Sequence, residues 1–307
     1  MFEYQDGDSH FCYAVMKSDI SDCVHFRDRL DKRAWFDLET PYGYGGPLSD
    51  KVVPETSQKA FAKEMKEYCN ENHIISQFVR FHPLLDNSKT VPLAFETRYM
   101  RETIFMDTER QELIMSNMDS KNRNMVRKAI KNGVTVEWHG IEDYEAFLEM
   151  YQETMEKNRA NQYYFFDRSY FEAQKEISEN ACIGYAVREG CPIAGAIFYY
   201  NERFMHYHLA GSRTDQKMFA PGNLLLYEAA LRANSKGIGK LHLGGGLMPD
   251  DSLFGFKKQF NKEGRLPFVI GRTVFDKAAY DHLLDIREKA DPGFQRDNSR
   301  MIQYRYE

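Results

Sequence analysis

Leu241–Phe260 reads LHLGGGLMPDDSLFGFKKQF. The apolar run Lys240–Leu243 predicts a strand, and it ends in Gly244, Gly245 and Gly246. Glycine permits positive φ and lets another group come close to the main chain. The three residues therefore mark either a strand-to-loop turn or a place where a ligand lies against backbone. Asp250 and Asp251 follow. Such a pair caps the next helix more often than it accepts a proton from a reacting group. The helix that follows carries Phe256, Lys257 and Lys258. A fixed cation beside a close-approach turn suits a site where negative charge develops on an oxygen.

Working outward, three strands precede this stretch at hairpin spacing: 183–188, 193–200 and 204–210. Glu189–Pro192 and Asn201–Arg203 supply the turns. A helix over 223–235 links the last of them to the strand at 240–243. Upstream, 112–132 reads as one strongly basic helix closed by Gly133, 134–138 as a strand, and 144–159 and 169–177 as helices. Downstream, 267–275 reads as a strand and 277–289 as a helix. The first third is mixed as well. Strands are expected at 11–16, 35–38, 78–81 and 97–106, with a helix over 57–72 whose Ala60, Phe61, Met65 and Tyr68 share a side.

The 307 residues suit one large domain or two of roughly 150 residues each. The expected division is 1–110, 111–290 and a weakly ordered tail at 291–307. No Pro/Gly/Ser-rich linker separates the parts. A net charge of −5 gives no reason to expect broad attraction to nucleic acid, and DNA is not an expected partner. No apolar run approaches the ~20 residues that span a bilayer. The acidic, polar start MFEYQDGDSH does not read as a secretory signal, so a cytoplasmic location is expected. Five scattered cysteines without a CxxC pair argue against a disulfide framework and against zinc, and no metal is expected. Aromatic residues reach 14%, enough to line a cleft as well as a core.

Three segments of the second half, KNRNMVRKAIKNG at 121–133, HYHLAGS with APGNLLLYEA at 206–229, and LGGG with FGFKKQF at 243–260, resemble the FemABX aminoacyltransferases and their relatives in the GNAT superfamily. In the first half, TPYGYGGPL at 40–48 and VRFHPLL at 79–85 resemble a subgroup of the same family. The resemblance implies a mixed α/β fold of two GNAT-like lobes, the first degenerate, each a mainly antiparallel sheet flanked by helices. It implies transfer of an activated acyl or aminoacyl group to an amine on a small molecule or a cell-wall precursor, in envelope, peptidoglycan or surface-glycan synthesis. No permanently bound cofactor is implied. The co-substrate would be acyl-CoA or aminoacyl-tRNA, which makes tRNA a candidate partner. The chain departs from the family at Gln216–Asn223, where the phosphate loop keeps one glycine and Pro221 lacks an N–H donor. That change disfavours CoA, while the acidic net charge disfavours a large tRNA footprint. A catalytically inactive module that binds a nucleotide-linked precursor or a partner protein is the alternative.

By the resemblance, Lys257 occupies the family's Phe-Lys position and stabilises the oxyanion; the alternative is a solvated helix lysine. Tyr207 and His208 lie on the strand whose counterpart in the superfamily splays from its neighbour, and alternation puts His206 and His208 on one face and Tyr207 on the other. Either could act as acid or base, or be a hydrogen-bonded strand residue. Gly222, Asn223, Gly244 and Gly245 are assigned to the donor and its phosphates, together with Arg123 and Arg127, which share a helix face with Lys131. That basic face is also what a solvated helix surface looks like. Tyr42, Tyr44 and Gly45, on a loop bracketed by Pro41 and Pro47, are assigned with Arg80 to the acceptor.

Overall fold

The computed structural model describes residues 1–305, and in it the chain forms two compact units. The first comprises Met1–Arg101 and the chain from Pro267 onward; the second is Glu102–Leu266.

In the first unit, β1 (Phe2–Asp6) and β2 (Ser9–Tyr13) form a hairpin to which the short β5 (Leu48–Ser49) adds. A second sheet holds β3 (Met16–Asp19), β4 (Phe36–Glu39), β6 (Ile74–Arg80) and β13 (Arg265–Val274). Its β4–β6 pair is parallel, and its β3–β4 and β6–β13 pairs are antiparallel. Helix α1 (Glu55–Glu71) buries Phe61, Met65 and Cys69, spaced at i, i+4, i+8, among Phe11, Phe81 and Phe95. Helix α8 (Lys277–Ala290) buries Tyr280, Leu283 and Leu284 against Ile20, Phe26 and Ile75. Strand β7 (Glu96–Asp107) carries the chain into the second unit and β13 carries it back.

The second unit runs α2 (Gln111–Ser116), α3 (Ser120–Lys131), β8 (Thr135–His139), α4 (Glu145–Lys157), α5 (Arg168–Ala173), β9 (Ala181–Arg188), β10 (Cys191–Tyr200), β11 (Phe204–Ser212), α6 (Pro221–Ser235), β12 (Lys240–Gly244) and α7 (Ser252–Lys258). Strand order is β7-β12-β11-β10-β9-β8, antiparallel except for the parallel β11–β12 pair. The expected succession of strand, helices, three-strand meander, helix, strand and helix is present. Leu224, Leu225, Leu226, Ala229, Ala230 and Ala233 of α6 are all buried, so this helix fills the core of the unit.

Three expectations need correction. The helix expected over 112–132 is two helices. At the break the Asp119 N–H donates to the Gln259 carbonyl (2.9 Å), and the Lys262 N–H donates to the Asn117 carbonyl (3.3 Å). Tertiary partners take the backbone groups that a continuous helix would have used. The boundary expected after residue 110 falls instead inside β7, and residues 267–290, assigned above to the second lobe, belong to the first unit. The physical reason is that β13 pairs with β6 and α8 packs on the first unit's core. Finally, the segment from 291 is packed: Phe294, Met301, Ile302 and Tyr304 are buried, and Tyr304 has no exposed surface. Positions 306 and 307 of that expected tail lie outside the described residues.

Candidate active site

The parallel ladder between β11 and β12 has the rungs Phe204↔Lys240, Met205↔Leu241 and His206↔His242. There it stops, although β11 runs on to Ser212. Two irregularities coincide with the parting. Against β10, β11 shifts register between Ile197↔Leu209 and Phe198↔Tyr207, which makes His208 the extra residue of a bulge. Against β7, β12 shifts between His242 and Gly244, and Gly244 leaves the strand at φ +73°. A bulge bends and twists its strand, and bulges are frequent beside active sites. Gly245 has no room for a side chain, because a Cβ there would lie 2.7 Å from the Glu102 carbonyl oxygen.

Lys257 belongs to this parting. Its side chain is only 7% exposed. Its Nζ donates to the Gly245 carbonyl at 2.8 Å and lies 5.7 Å from the centre of the Tyr207 ring. The ammonium thus touches the chain just past the end of β12 and the first β11 residue beyond the ladder. Helix α7 is held for this purpose by Asp251, whose carboxylate accepts from the N–H groups of Leu247 (2.6 Å), Met248 (2.9 Å) and Phe254 (2.8 Å). Of the two roles considered for the acidic pair, capping is what Asp251 does. Burial alone raises the pKa of this carboxyl; the N–H groups it accepts from outweigh that and hold it below the ordinary value.

Tyr207 packs on Phe198 (5.7 Å between centroids) and on the core that contains α6, and this apolar environment pushes its phenol up. His208 faces the other way, as alternation required. Its Nε2 shares a 2.6 Å hydrogen bond with the Tyr170 hydroxyl, and its ring lies 4.2 Å from that of Tyr199. Burial lowers its pKa to about 3, so it is neutral across the physiological range and a weak base. Lys257, Gly245 and Tyr207 are thus brought together, and His208 stands apart from them.

On the assigned donor side, Pro221 and Gly222 open α6, and Ala220 before them takes the left-handed conformation (φ +55°). A Cβ on Gly222 would meet only Phe256, at 4.0 Å. Asn223 donates to the Asn122 side-chain oxygen (2.7 Å), and Asn122 donates to the Gln259 carbonyl (3.3 Å). This chain ties α6, α3 and the end of α7 together, which gives Asn223 a structural partner. Arg123 is half-buried and its guanidinium donates to the Met118 carbonyl, whereas Arg127 and Lys131 are exposed.

The residues assigned to the acceptor lie in the first unit. Gly45 pairs with Phe81, and its N–H donates to the Arg80 carbonyl at 2.7 Å. The buried Asn87 amide donates to the carbonyls of Gly45 (2.9 Å) and Pro47 (3.1 Å), so the loop is pinned. Tyr44 packs edge-on against Phe268 and His82, and burial pushes its phenol up. Tyr42 is partly exposed. Arg80 donates to the Thr40 carbonyl (3.2 Å) and pairs with Glu39 at 3.5 Å.

Sequence reasoning passed over Asn122, Thr103, Tyr170, Tyr199 and His242. Asn122 was legible, because it shares a helix face with the apolar Val126 and Ala129, where a polar residue implies a partner. His242 was not: Leu241, His242 and Leu243 are all buried, so the strand shows no alternation to mark it out.

Residues 119–258 match the family model of the acetyltransferase (GNAT) domain. No curated protein matches the sequence. Among solved structures, FemX is similar at a TM-score of 0.63 and 14% identity, covering 88% of this chain and 90% of that one. The C-terminal domain of a putative lysylphosphatidylglycerol synthetase from Agrobacterium fabrum is similar at 0.56 and 14%, covering 92% and 87%. L-PGS from Bacillus licheniformis is similar at 0.54 and 10%, covering 92% and 88%. At these identities the likeness is one of fold, and it is the GNAT-like, mixed α/β architecture that the sequence resemblance implied.

Proposed function

We propose, from the match of residues 119–258 to the GNAT acetyltransferase domain, that this chain transfers an activated acyl or aminoacyl group to an amine, with Lys257 stabilising the oxyanion formed at the donor carbonyl. The observation that carries the proposal is the position of the Lys257 ammonium, bonded to Gly245 and beside Tyr207 where β11 and β12 part. A desolvated cation there interacts with developing negative charge far more strongly than one in water. The amine attacks the donor carbonyl directly, with no covalent enzyme intermediate.

The donor is acyl-CoA or aminoacyl-tRNA. Its phosphates lie at the first turn of α6, where the space beside Gly222 admits a close approach. The exposed Arg127, next to Arg123 on α3, extends that positive surface. Because Pro221 removes one donor, aminoacyl-tRNA is favoured over CoA. The name of the Agrobacterium neighbour, a lysylphosphatidylglycerol synthetase, is in keeping with an aminoacyl donor and an envelope product. Tyr42, Tyr44, Gly45 and Arg80 recognise the acceptor, a cell-wall or other envelope precursor, and the reaction takes place in the cytoplasm, where either donor is made. No described helix is long and apolar enough to cross a membrane.

The test is a binding titration with acetyl-CoA and, in parallel, with a charged tRNA pool, each at two salt concentrations. Saturable binding of charged tRNA that weakens with salt supports aminoacyl transfer. Saturable acetyl-CoA binding moves the chain to small-molecule N-acylation. If neither donor binds, the inactive-module alternative takes over.

A further inference from the structure

Past its last rung with β12, β11 pairs on one side only, with β10, among the described residues. The register Ala196↔Ala210, Gly195↔Gly211 and Ala194↔Ser212 tells which N–H groups face the other side. The Arg213 N–H donates to the Ile193 carbonyl of β10 at 2.9 Å. Main-chain groups alternate in direction along a strand, so the N–H groups of Ala210 and Ser212 point away from β10, toward the side that β12 has left.

Helix α4 takes part of this edge. The Ser212 N–H donates to Oγ1 of Thr154 at 3.0 Å. The same hydroxyl lies 2.8 Å from the Met150 carbonyl oxygen and 3.4 Å from that of Ser212. Just beyond the strand, the Thr214 N–H donates to the Glu153 carboxylate at 2.7 Å. Arg213 pairs with Glu149 (2.9 Å) and Glu153 (3.6 Å). Gly211 makes this approach of α4 possible, because a Cβ there would lie 2.7 Å from the Met150 carbonyl oxygen. The hydrogen bonds from Thr214, followed by the charge of Arg213, hold the Glu153 carboxyl below its ordinary value, so it is ionised at neutral pH. Two carboxylates against one guanidinium leave negative charge beside the segment that leads to α6.

An acyl-CoA brings an extended arm with two amide groups, followed by a pyrophosphate. Amides of an extended chain bind a strand edge through main-chain hydrogen bonds, and phosphates bind free N–H groups. Here the N–H groups of Ser212 and Thr214 are already taken, and a carboxylate stands where phosphate would run. An aminoacyl ester places one carbonyl next to a ribose and asks for no such run of edge. We propose that Thr154 and Glu153 are donor-selecting residues, which close the free edge of β11 against acyl-CoA and so restrict the donor to aminoacyl-tRNA. This selection rests on the acyl-transfer proposal and adds a second barrier to the one at Pro221.

The test is calorimetric titration of acetyl-CoA into wild type, into the double variant Glu153→Ala/Thr154→Ala, and into Glu153→Gln. Alanine continues a helix at both positions. The double variant uncovers the N–H groups of Ser212 and Thr214, and it is expected to bind acetyl-CoA about tenfold or more tightly than wild type. Damage to the fold alone does not produce a gain in affinity. Glu153→Gln keeps an acceptor for Thr214 and drops the charge, so it serves if the double variant does not fold. Its expected gain is about threefold and fades with added salt. Equal acetyl-CoA affinity in wild type and every folded variant, or none in any of them, overturns the proposal. Charged tRNA is titrated into wild type alongside. A gain with acetyl-CoA in the variants but no binding of charged tRNA keeps the closed edge and counts instead against the acyl-transfer proposal.

Discussion

Lys257 is a charged residue placed where water has been largely removed, with the Gly245 carbonyl as a partner. Burying an ammonium is unfavourable unless it is hydrogen-bonded, and a surface lysine could have carried out the same tethering more cheaply. That imbalance favours a functional role and yields the first prediction. Lys257→Met, which keeps the stem and drops the charge, leaves the melting temperature unchanged or raised while lowering kcat about 10²–10³-fold. A fall in stability with kcat intact would make the lysine a structural tether. Asp251 gives a second prediction at this scale. Its folded pKa is depressed, so the stability it contributes is fully present above the ordinary carboxylate value of about 3.9 and is lost as pH falls through the lower folded value. Asp251→Ala removes the α7 cap and costs about 1 kcal/mol at neutral pH. The difference from wild type, followed by urea unfolding, shrinks toward zero in acid. Lys257 and the glycines stand out in the sequence by residue type and order, but that the Lys257 ammonium reaches the Gly245 carbonyl is decided by the tertiary structure. The contacts of His242 with His206 and Thr103 were not legible, since the three residues come from three strands far apart in sequence.

The parting of β11 and β12 depends on irregular elements, and irregularity is what periodicity cannot read. Sequence alternation assigned His206, Tyr207 and His208 to their faces, yet the bulge at His208 appears only when β11 is set against β10. The close approach of β11 to α4 is similarly hidden. Gly211 looks like an ordinary strand glycine, but a Cβ there would lie 2.5 Å from the Met150 carbonyl carbon. Gly211→Ala therefore pushes α4 from the sheet and lowers stability by about 1–3 kcal/mol, measured by thermal or urea unfolding. An unchanged midpoint would mean that α4 yields freely. The division of the expected 112–132 helix has the same origin. Its amphipathic pattern is continuous, but Asp119 and Asn117 hydrogen-bond to residues beyond α7.

At the scale of the whole molecule, the returning C-terminal segment is the feature that matters most. Arg305 donates to both carboxylate oxygens of Asp37 (2.6 and 2.7 Å), and the fully buried Tyr304 hydroxyl bonds to Asp37 and Ser76. The Asp37 side chain is only 9% exposed. Arg305→Met leaves that carboxylate without its cation and is expected to cost about 3 kcal/mol. Urea unfolding measures the loss, and Asp37→Asn in the same background should recover part of it. Composition, element order and the short motifs determined the fold class of this protein, the succession of elements across 134–258 and the residue types able to stabilise an oxyanion. These properties are set by local periodicity and by the chemistry of single side chains. Tertiary structure alone decided that residues 267–305 belong to the first unit, that His208 bonds to Tyr170, and that His206 gains a buried partner in His242. Each depends on which strand lies beside which, and pairings across more than thirty residues leave no imprint on local sequence.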